Sequence, residues 1–417
     1  MQEPNHSLSD ARKIIDAGLD AARHTGYIKK YITQNRLVCS GKLYHTSQYD
    51  KIWLVAMGKA ADAMAKTAHD ILHADGGIIV IPKNTRSVFH NKKFLVIYAG
   101  HPTPNQNSTH AAKKIISLLK NAGKEDLVVF LISGGSSSLV CSPAGITLPQ
   151  KIKATKILLE SGASISEINA IRKHLSGVKG GRILENLHCD AISYVMSDVV
   201  GNDLSSIASG MTYCDKTTFS DCLDVVSKYN LGKKLPKSVL SRLCRGAQGK
   251  IGETPKKPRI PNQIIASNSD CLDIMSKKAK SLGYSAVIYP DVTGDVAQAA
   301  QKTLKKFKTS KKSCLIFGGE TTVLVRKRGK GGRNQEFVLN IIPKLPANTT
   351  IGSIGTDGID GNTEYAGAIF DHAVDYDIIK PYLQNNDSNS FFKKFGGLIR
   401  TGPTHTNLQD IGIILQH

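Results

Sequence analysis

The chain is poor in rings and in acid: of 417 residues one is tryptophan, aromatics make up 6%, and 34 acidic side chains face 55 basic ones. Few rings means few platforms for stacking bases, and no RNP, KH or zinc-finger pattern occurs, so the net charge of +21 reads as a solvated basic face and not as a nucleic-acid surface. Long hydrophobic runs are missing too. Leu127–Ile132 is typical of the longest, far below the roughly 20 residues a bilayer demands, so no membrane-spanning helix is expected. Residues 1–7 carry neither a basic start nor an apolar stretch, so no secretion signal is expected. The eight cysteines (39, 141, 189, 214, 222, 244, 271 and 314) show no C-x-x-C spacing. They read as small buried hydrophobes, which argues against a disulfide framework or zinc site and for a cytoplasmic setting. No G-x-x-x-x-G-K-[ST] is present, which excludes an ordinary P-loop.

What the chain does have is glycine placed after buried strands. Strand-like segments at 51–57, 78–81, 94–98, 127–132 and 191–196 alternate with helical ones at 59–72, 107–119 and within 148–174, the grammar of a parallel sheet with helices on both faces. An amphipathic helix opens the chain from Ser9 to about Ile32, with Ile14, Ile15, Leu19 and Ala22 on one face. Between Val225 and Ile260 ten Lys or Arg stand against one acid, Glu253, and the Lys- and Pro-rich stretch 254–261 is the best linker. Domains are therefore expected at 1–245 and 262–417. Strands at 263–266, 285–289, 314–317, 322–326 and 350–354 would build the second, mixed α/β domain, and 337–342 reads as a helix.

Several constellations point to phosphate chemistry. Met57-Gly58-Lys59-Ala60-Ala61 follows the first strand but lacks the dinucleotide fingerprint, and Lys83 stands where a ribose would need an acid. An ammonium at a helix start repels the helix dipole, so Lys59 asks for an anion. Gly134, Gly135, Ser136, Ser137 and Ser138 follow a buried strand, where small residues expose amides and hydroxyls to a phosphate. Asn169, Arg172, Lys173 and Lys179 gather on a helix and a glycine turn and could clamp a carboxylate or phosphate. Asp198 and Asp203 sit at another strand edge, where they could hold Mg²⁺, orient a hydroxyl, or simply cap a turn. Further on, Glu320 and Arg333 flank an expected hairpin, with Gly331 and Gly332 before the arginine. Asp357, Asp360 and Glu364 crowd a glycine turn too short for an EF-hand, with calcium as an alternative occupant. His101 reads as a turn residue.

Taken in order, MGKAA (57–61), GHPTPN (100–105), LISGGSSSL (131–139), EINAIRKHLSGVKGGR (167–182), SDVVGNDLSSIASG (197–210), GGETTVLV (318–325), GKGGRNQE (329–336), GTDGIDGNTEYAGA (355–368) and TGPTHTN (401–407) resemble the glycerate 2-kinase family, whose C-terminal half is the MOFRL domain. The resemblance implies a Rossmann-like N-terminal domain, a smaller mixed α/β C-terminal domain, and an active site in the cleft between them. It implies ATP-dependent phosphorylation of D-glycerate to 2-phosphoglycerate, with Lys59 and Arg333 catalytic. On that reading Gly134–Ser138, Gly331 and Gly332 bind the nucleotide phosphates, while Lys173, Lys179 and Asn169 bind the acceptor. Asp198, Asp203 and Glu320 would serve Mg²⁺, and the partners are small molecules acting on a monomer or homodimer. Arg333→Ala is expected to stop turnover and leave the fold intact. A hydroxypyruvate reductase and a non-enzymatic phosphate binder are the alternatives.

Overall fold

The computed structural model describes residues 6–23 and 25–417. Helix α1 (His6–Arg23) is followed by a short antiparallel hairpin, β1 (Arg36–Cys39) and β2 (Lys42–His45). Then come β3 (Ile52–Met57), α2 (Ala61–Leu72), β4 (Gly76–Pro82), β5 (Phe94–Ala99), α3 (Gln106–Asn121), β6 (Leu127–Ile132) and the single turn α4 (Ser136–Leu139). Next are α5 (Leu148–Leu159), α6 (Ile165–His174), β7 (Asp190–Met196), α7 (Phe219–Lys228), α8 (Lys237–Ala247) and β8 (Asn262–Ala266). The remainder holds α9 (Asn268–Ser281), β9 (Ser285–Asp295), α10 (Val296–Lys306), β10 (Ser313–Thr322), α11 (Arg333–Ile341) and β11 (Thr349–Gly355), then β12 (Gly367–Phe370), α12 (Tyr376–Gln384), α13 (Ser388–Phe395), β13 (Leu398–Ile399) and β14 (Asp410–Gln416).

The chain divides into two units, one of residues 25–197 and 202–265, the other of α1, 198–201 and 266–417. In the first, a six-stranded sheet runs β5-β4-β3-β6-β7-β8, and the pairings from β5 through β7 are all parallel. β6 is buried at every position, as a strand covered on both faces must be, which explains its unbroken apolar run. The order also reverses between β3 and β6, and such a switch point opens a crevice at the C-terminal strand ends. The turns after β3 and β6 are the ones that carry Lys59 and Ser133–Ser138.

Two expectations fail in this unit. The strand at 263–266, assigned from sequence to the second domain, is β8 and lies beside β7 at the edge of the first sheet. The Lys- and Pro-rich stretch is no free linker: Thr254 and Ile260 are buried, and Arg259 donates to the carbonyls of Leu184 and Leu187. Before it, α7 and α8 turn Phe219, Val226, Val239 and Leu243 onto α5 and α6, while Lys228, Lys237 and Arg245 of the same helices face solvent. These basic residues are the outer faces of amphipathic helices, and Lys233 and Lys234 are exposed on the turn between them.

The second unit is built on a sheet ordered β13-β12-β11-β14-β10-β9, parallel only between β10 and β9. Helix α1 belongs here. Its Ile14, Ile15, Leu19 and Ala22 are buried as the periodicity predicts, and a Cβ on Gly18 would fall 2.6 Å from Met275 of α9. The helix stops at Arg23, short of the expected Ile32. No strand forms over 322–326 and no hairpin joins Glu320 to Arg333: β10 ends at Thr322, Leu324 and Val325 are 66% and 72% exposed, and an irregular glycine-rich loop leads into α11. Without a neighbouring strand, the apolar pattern there has nothing to pair with. The helix read over 337–342 is present as part of α11.

Candidate active site

In the first unit, the turns after β3 and β6 lock together through main chain. Gly58 adopts φ +126°, and a Cβ there would fall 2.5 Å from the carbonyl oxygen of Ser133, so only glycine fits. The Lys59 N–H donates to Gly134 O at 2.9 Å, and the Ala60 N–H donates to Ser133 Oγ at 3.0 Å. The backbone start of α2 is therefore occupied, and the half-buried Lys59 side chain is what this turn can offer an anion. Ser136 is buried with its Oγ 2.7 Å from Met57 O and 2.5 Å from Ser133 O, so its hydroxyl holds the turn together and is withdrawn from the phosphate-binding set. Gly135 sits at φ +87°, with the His101 ring 2.9 Å from where a Cβ would be.

Ser137 links this loop to a group of cations. Its carbonyl accepts from Lys179 Nζ at 2.6 Å, and its hydroxyl accepts from Arg172 Nη2 at 3.1 Å. Asn169 Oδ1 accepts from Arg172 Nη1 and from Ser209 Oγ, which sets the guanidinium's orientation. Lys151 of α5, buried as deeply as Lys179, donates to Leu175 O at 3.0 Å. Burial pushes the Lys179 pKa well below the ordinary lysine range, with Arg172 and Lys151 adding repulsion. Burial likewise brings Lys151 down to about 8. Lys173 goes elsewhere: its amine is buried 3.2 Å from Asp215, an ion pair inside the helical layer, so it is withdrawn from the acceptor-binding set.

Arg333 is the first residue of α11, in the second unit. Its Nε and Nη2 donate to Asp410 at 2.6 and 2.9 Å, and Nη1 donates to Glu320 at 2.7 Å. Three of the roughly five N–H donors of a guanidinium are spent, which leaves one on each terminal nitrogen. Burial opposes the charge, but the Asp410 and Glu320 carboxylates outweigh it and raise the Arg333 pKa above its ordinary value. The arginine lines a pocket of about 610 Å³ with Gly329, Gly331, Gly332, Lys327 and Asp357. Gly331 and Gly332 are glycines for packing, since a Cβ would strike Ser388 at 2.2 Å and Asp360 at 2.3 Å. The Gly331 amide is committed to Asn362.

The acidic turn separates into different tasks. Asp360, buried and pushed up to about 6 by desolvation, accepts the amides of Asn334 and Gln335 and so caps α11. Asp357 accepts the Ile359 N–H within its own turn, and Glu364 pairs with exposed Arg400. Asp203 accepts from the Ser205 N–H and from the hydroxyls of Ser205 and Ser206, the turn chemistry that was the alternative to a metal role. Glu320 is raised by partial burial, pulled down by Arg333, and raised again by Asp410 and Asp198. Among the described residues, no group of three or more His, Cys, Asp or Glu is poised to hold a metal ion.

Sequence reading missed Asp410 and Lys151. Asp410 opens the last apolar strand, 77 residues from Arg333, and no spacing rule joins them. Lys151 did leave a trace, because with Ala154 and Leu158 it occupies the buried stripe of α5, where lysine is out of place.

Residues 10–244 match the domain of unknown function DUF4147, and residues 313–410 match the MOFRL family. The glycerate 2-kinase of Pyrococcus horikoshii is 36% identical over 406 residues, covering 92% of this chain and 91% of that one. A protein of Agrobacterium vitis with the provisional name hydroxypyruvate reductase is 37% identical, over 87% of this chain and 98% of its own. The crystal structure of Thermotoga maritima glycerate kinase superposes with a TM-score of 0.82 at 33% identity, over 99% of this chain and 100% of that one. The chain therefore belongs to the glycerate 2-kinase family, with its DUF4147 domain followed by its MOFRL domain.

Proposed function

We propose that this protein is an ATP-dependent kinase that moves the γ-phosphoryl group of ATP onto the 2-hydroxyl of D-glycerate, giving 2-phosphoglycerate and ADP. One observation carries the reading: Lys59 stands at the switch point of a parallel sheet, on a turn locked to a loop that leads directly to buried cations. Phosphoryl transfer asks a protein for positioning and charge neutralisation more than for covalent help. On this reading the Lys59 ammonium neutralises charge on the transferring group, Gly134 and Gly135 let phosphates approach the main chain, and Asn169 and Lys179 serve the acceptor. Arg333 keeps two uncommitted N–H groups for phosphate oxygens.

Mg²⁺ in such reactions is held by one or two carboxylates together with phosphate oxygens and water, so the absence of a three-acid cage among the described residues suits it. Glu320 and Asp198, near enough that Asp198 raises the Glu320 pKa, are the residues that would hold it. When bound, the ion neutralises nucleotide oxygens. No helix of the described residues is long and apolar enough to cross a membrane, and every cysteine is a free thiol, which supports a reducing cytoplasm as the setting.

Phosphorus NMR of the enzyme with D-glycerate and ATP tests the assignment. A phosphate on carbon 2 couples to one proton and gives a doublet, whereas one on carbon 3 couples to two and gives a triplet. A doublet is expected. A triplet, or growth of inorganic phosphate alone, would refute it. A mixture with hydroxypyruvate and NADH is expected to show no absorbance change, because β4 runs into Pro82-Lys83 with no carboxylate for a ribose.

The glycine lock gives a second expectation. Gly135→Ala must place a Cβ against the His101 ring at a left-handed φ, a strain of about 1–2 kcal/mol. The thermal midpoint should fall by a few degrees, and kcat by about tenfold as the loop shifts. Steady-state turnover alongside thermal denaturation reads both, and a variant with unchanged kcat would show that the loop plays no part in catalysis.

A further inference from the structure

We infer that the pocket formed by Lys151, Arg172 and Lys179 behind the turn after β6 is where the enzyme reads the carboxylate of its acceptor, and so selects a small hydroxy acid over an uncharged polyol. The inference rests on the kinase reading and adds Lys151 and Arg172 as the residues that set acceptor class. The pocket has a volume of about 320 Å³, and its charged lining groups are all cations. Lys151 and Lys179 are 4% and 1% exposed. Among the described residues, neither lysine nor Arg172 pairs with a carboxylate; their partners are Leu175 O, Ser137 O, Ser137 Oγ and Asn169 Oδ1.

Burying an ammonium without a counter-charge is costly, and here two are buried beside a guanidinium. Stability alone would favour an apolar residue at 151, since Ala154 and Leu158 fill the same stripe of α5. The missing partner is an anion. Its size follows from the walls, Pro102, Pro104, Ile152 and Leu159, and no aromatic ring lines the pocket on which an adenine could stack. A nucleotide is therefore a poor occupant and a three-carbon acid a good one. Ser137 and Ser138 of the loop that locks Lys59 line the pocket, so a carboxylate held by the three cations would sit beside the loop assigned to the phosphoryl donor.

Calorimetric titration of the wild type and Lys151→Met with D-glycerate, glycerol and ATP tests this without turnover. The glycerate dissociation constant should rise at least about tenfold in the variant, and ATP affinity should stay within about twofold. Glycerol should bind the wild type at least about a hundredfold more weakly than glycerate does. Thermal stability should hold or rise, because an unpaired buried charge has been replaced by a thioether. Should Lys151→Met fold poorly, Arg172→Gln, at a half-buried position of the same lining, reads the same loss. Unchanged glycerate affinity in the variants, loss of ATP binding in its place, or glycerol binding as tightly as glycerate would each overturn the inference. A wild type that binds glycerate but transfers no phosphate sinks the kinase reading and leaves the pocket standing; a wild type that binds no glycerate sinks the pocket. Cys141, Arg172, Arg242 and Lys179 all face Lys151, whose proton is held only below about pH 8. Glycerate affinity should therefore fall by up to about tenfold per unit above that pH, and in Lys151→Met this dependence should flatten.

Discussion

Arg333→Ala is expected to lower kcat by a factor of about 10³ to 10⁵, the range found when an arginine that stabilises a transferring phosphoryl group is removed. The fold will also feel the loss, contrary to what the sequence suggests. Asp410 is buried and bidentate on this guanidinium, and Glu320 takes a third N–H, so alanine leaves two carboxylates facing each other. Breaking a buried pair by deleting one partner costs on the order of 3 kcal/mol. Sign decides the pH dependence. Burial already raises the Asp410 pKa, and without Arg333 it will rise further, so the destabilisation should shrink as the medium is acidified and Asp410 takes up a proton. Arg333→Lys separates charge from geometry: it keeps one positive charge but cannot grip both Asp410 oxygens while reaching Glu320. Its kcat should fall by about 10² with a smaller stability loss. Turnover at saturating substrates, with melting curves at two pH values, measures all of this. Near-normal kcat in both variants would remove Arg333 from the mechanism.

Lys59→Met is expected to cost about 10² to 10⁴ in kcat. Methionine retains the main-chain N–H on Gly134 O, and its stem can occupy the space of the lysine carbons beside Gly135. What is lost is the ammonium. Kinetics with ATP and D-glycerate, next to melting curves, would settle it, and kcat within tenfold of wild type would mean that another group carries the charge.

Sequence legibility followed the range of the physics. The parallel sheet, the opening helix and α11 were readable because each is set by local periodicity: β6 is apolar throughout, α1 repeats at helical spacing, and α11 follows Gly331-Gly332. Lys59 stood out because a cation at a helix start conflicts with the dipole. The failures are contacts made through space. The edge position of β8, the grip of Asp410 on Arg333 and the burial of Lys173 against Asp215 join residues far apart in the chain. Asp203 is ambiguous in another way, because an acid after a buried strand looks the same in sequence whether it binds metal or ties its own turn.

Helix α1 carries a consequence for biogenesis. It leaves the ribosome well before its partners, since Met275 of α9 and Ile411 of β14, against which Gly18 nests, are translated more than 250 residues later. Throughout that interval Ile14, Ile15 and Leu19 have no mate, and a nascent chain with such a stripe is a natural client for chaperones. A truncated clone starting at 266 would lack this cover and bare the greasy groove between α9 and β14, so expression of the MOFRL half alone calls for α1 to be supplied, in cis through a linker or in trans as a peptide.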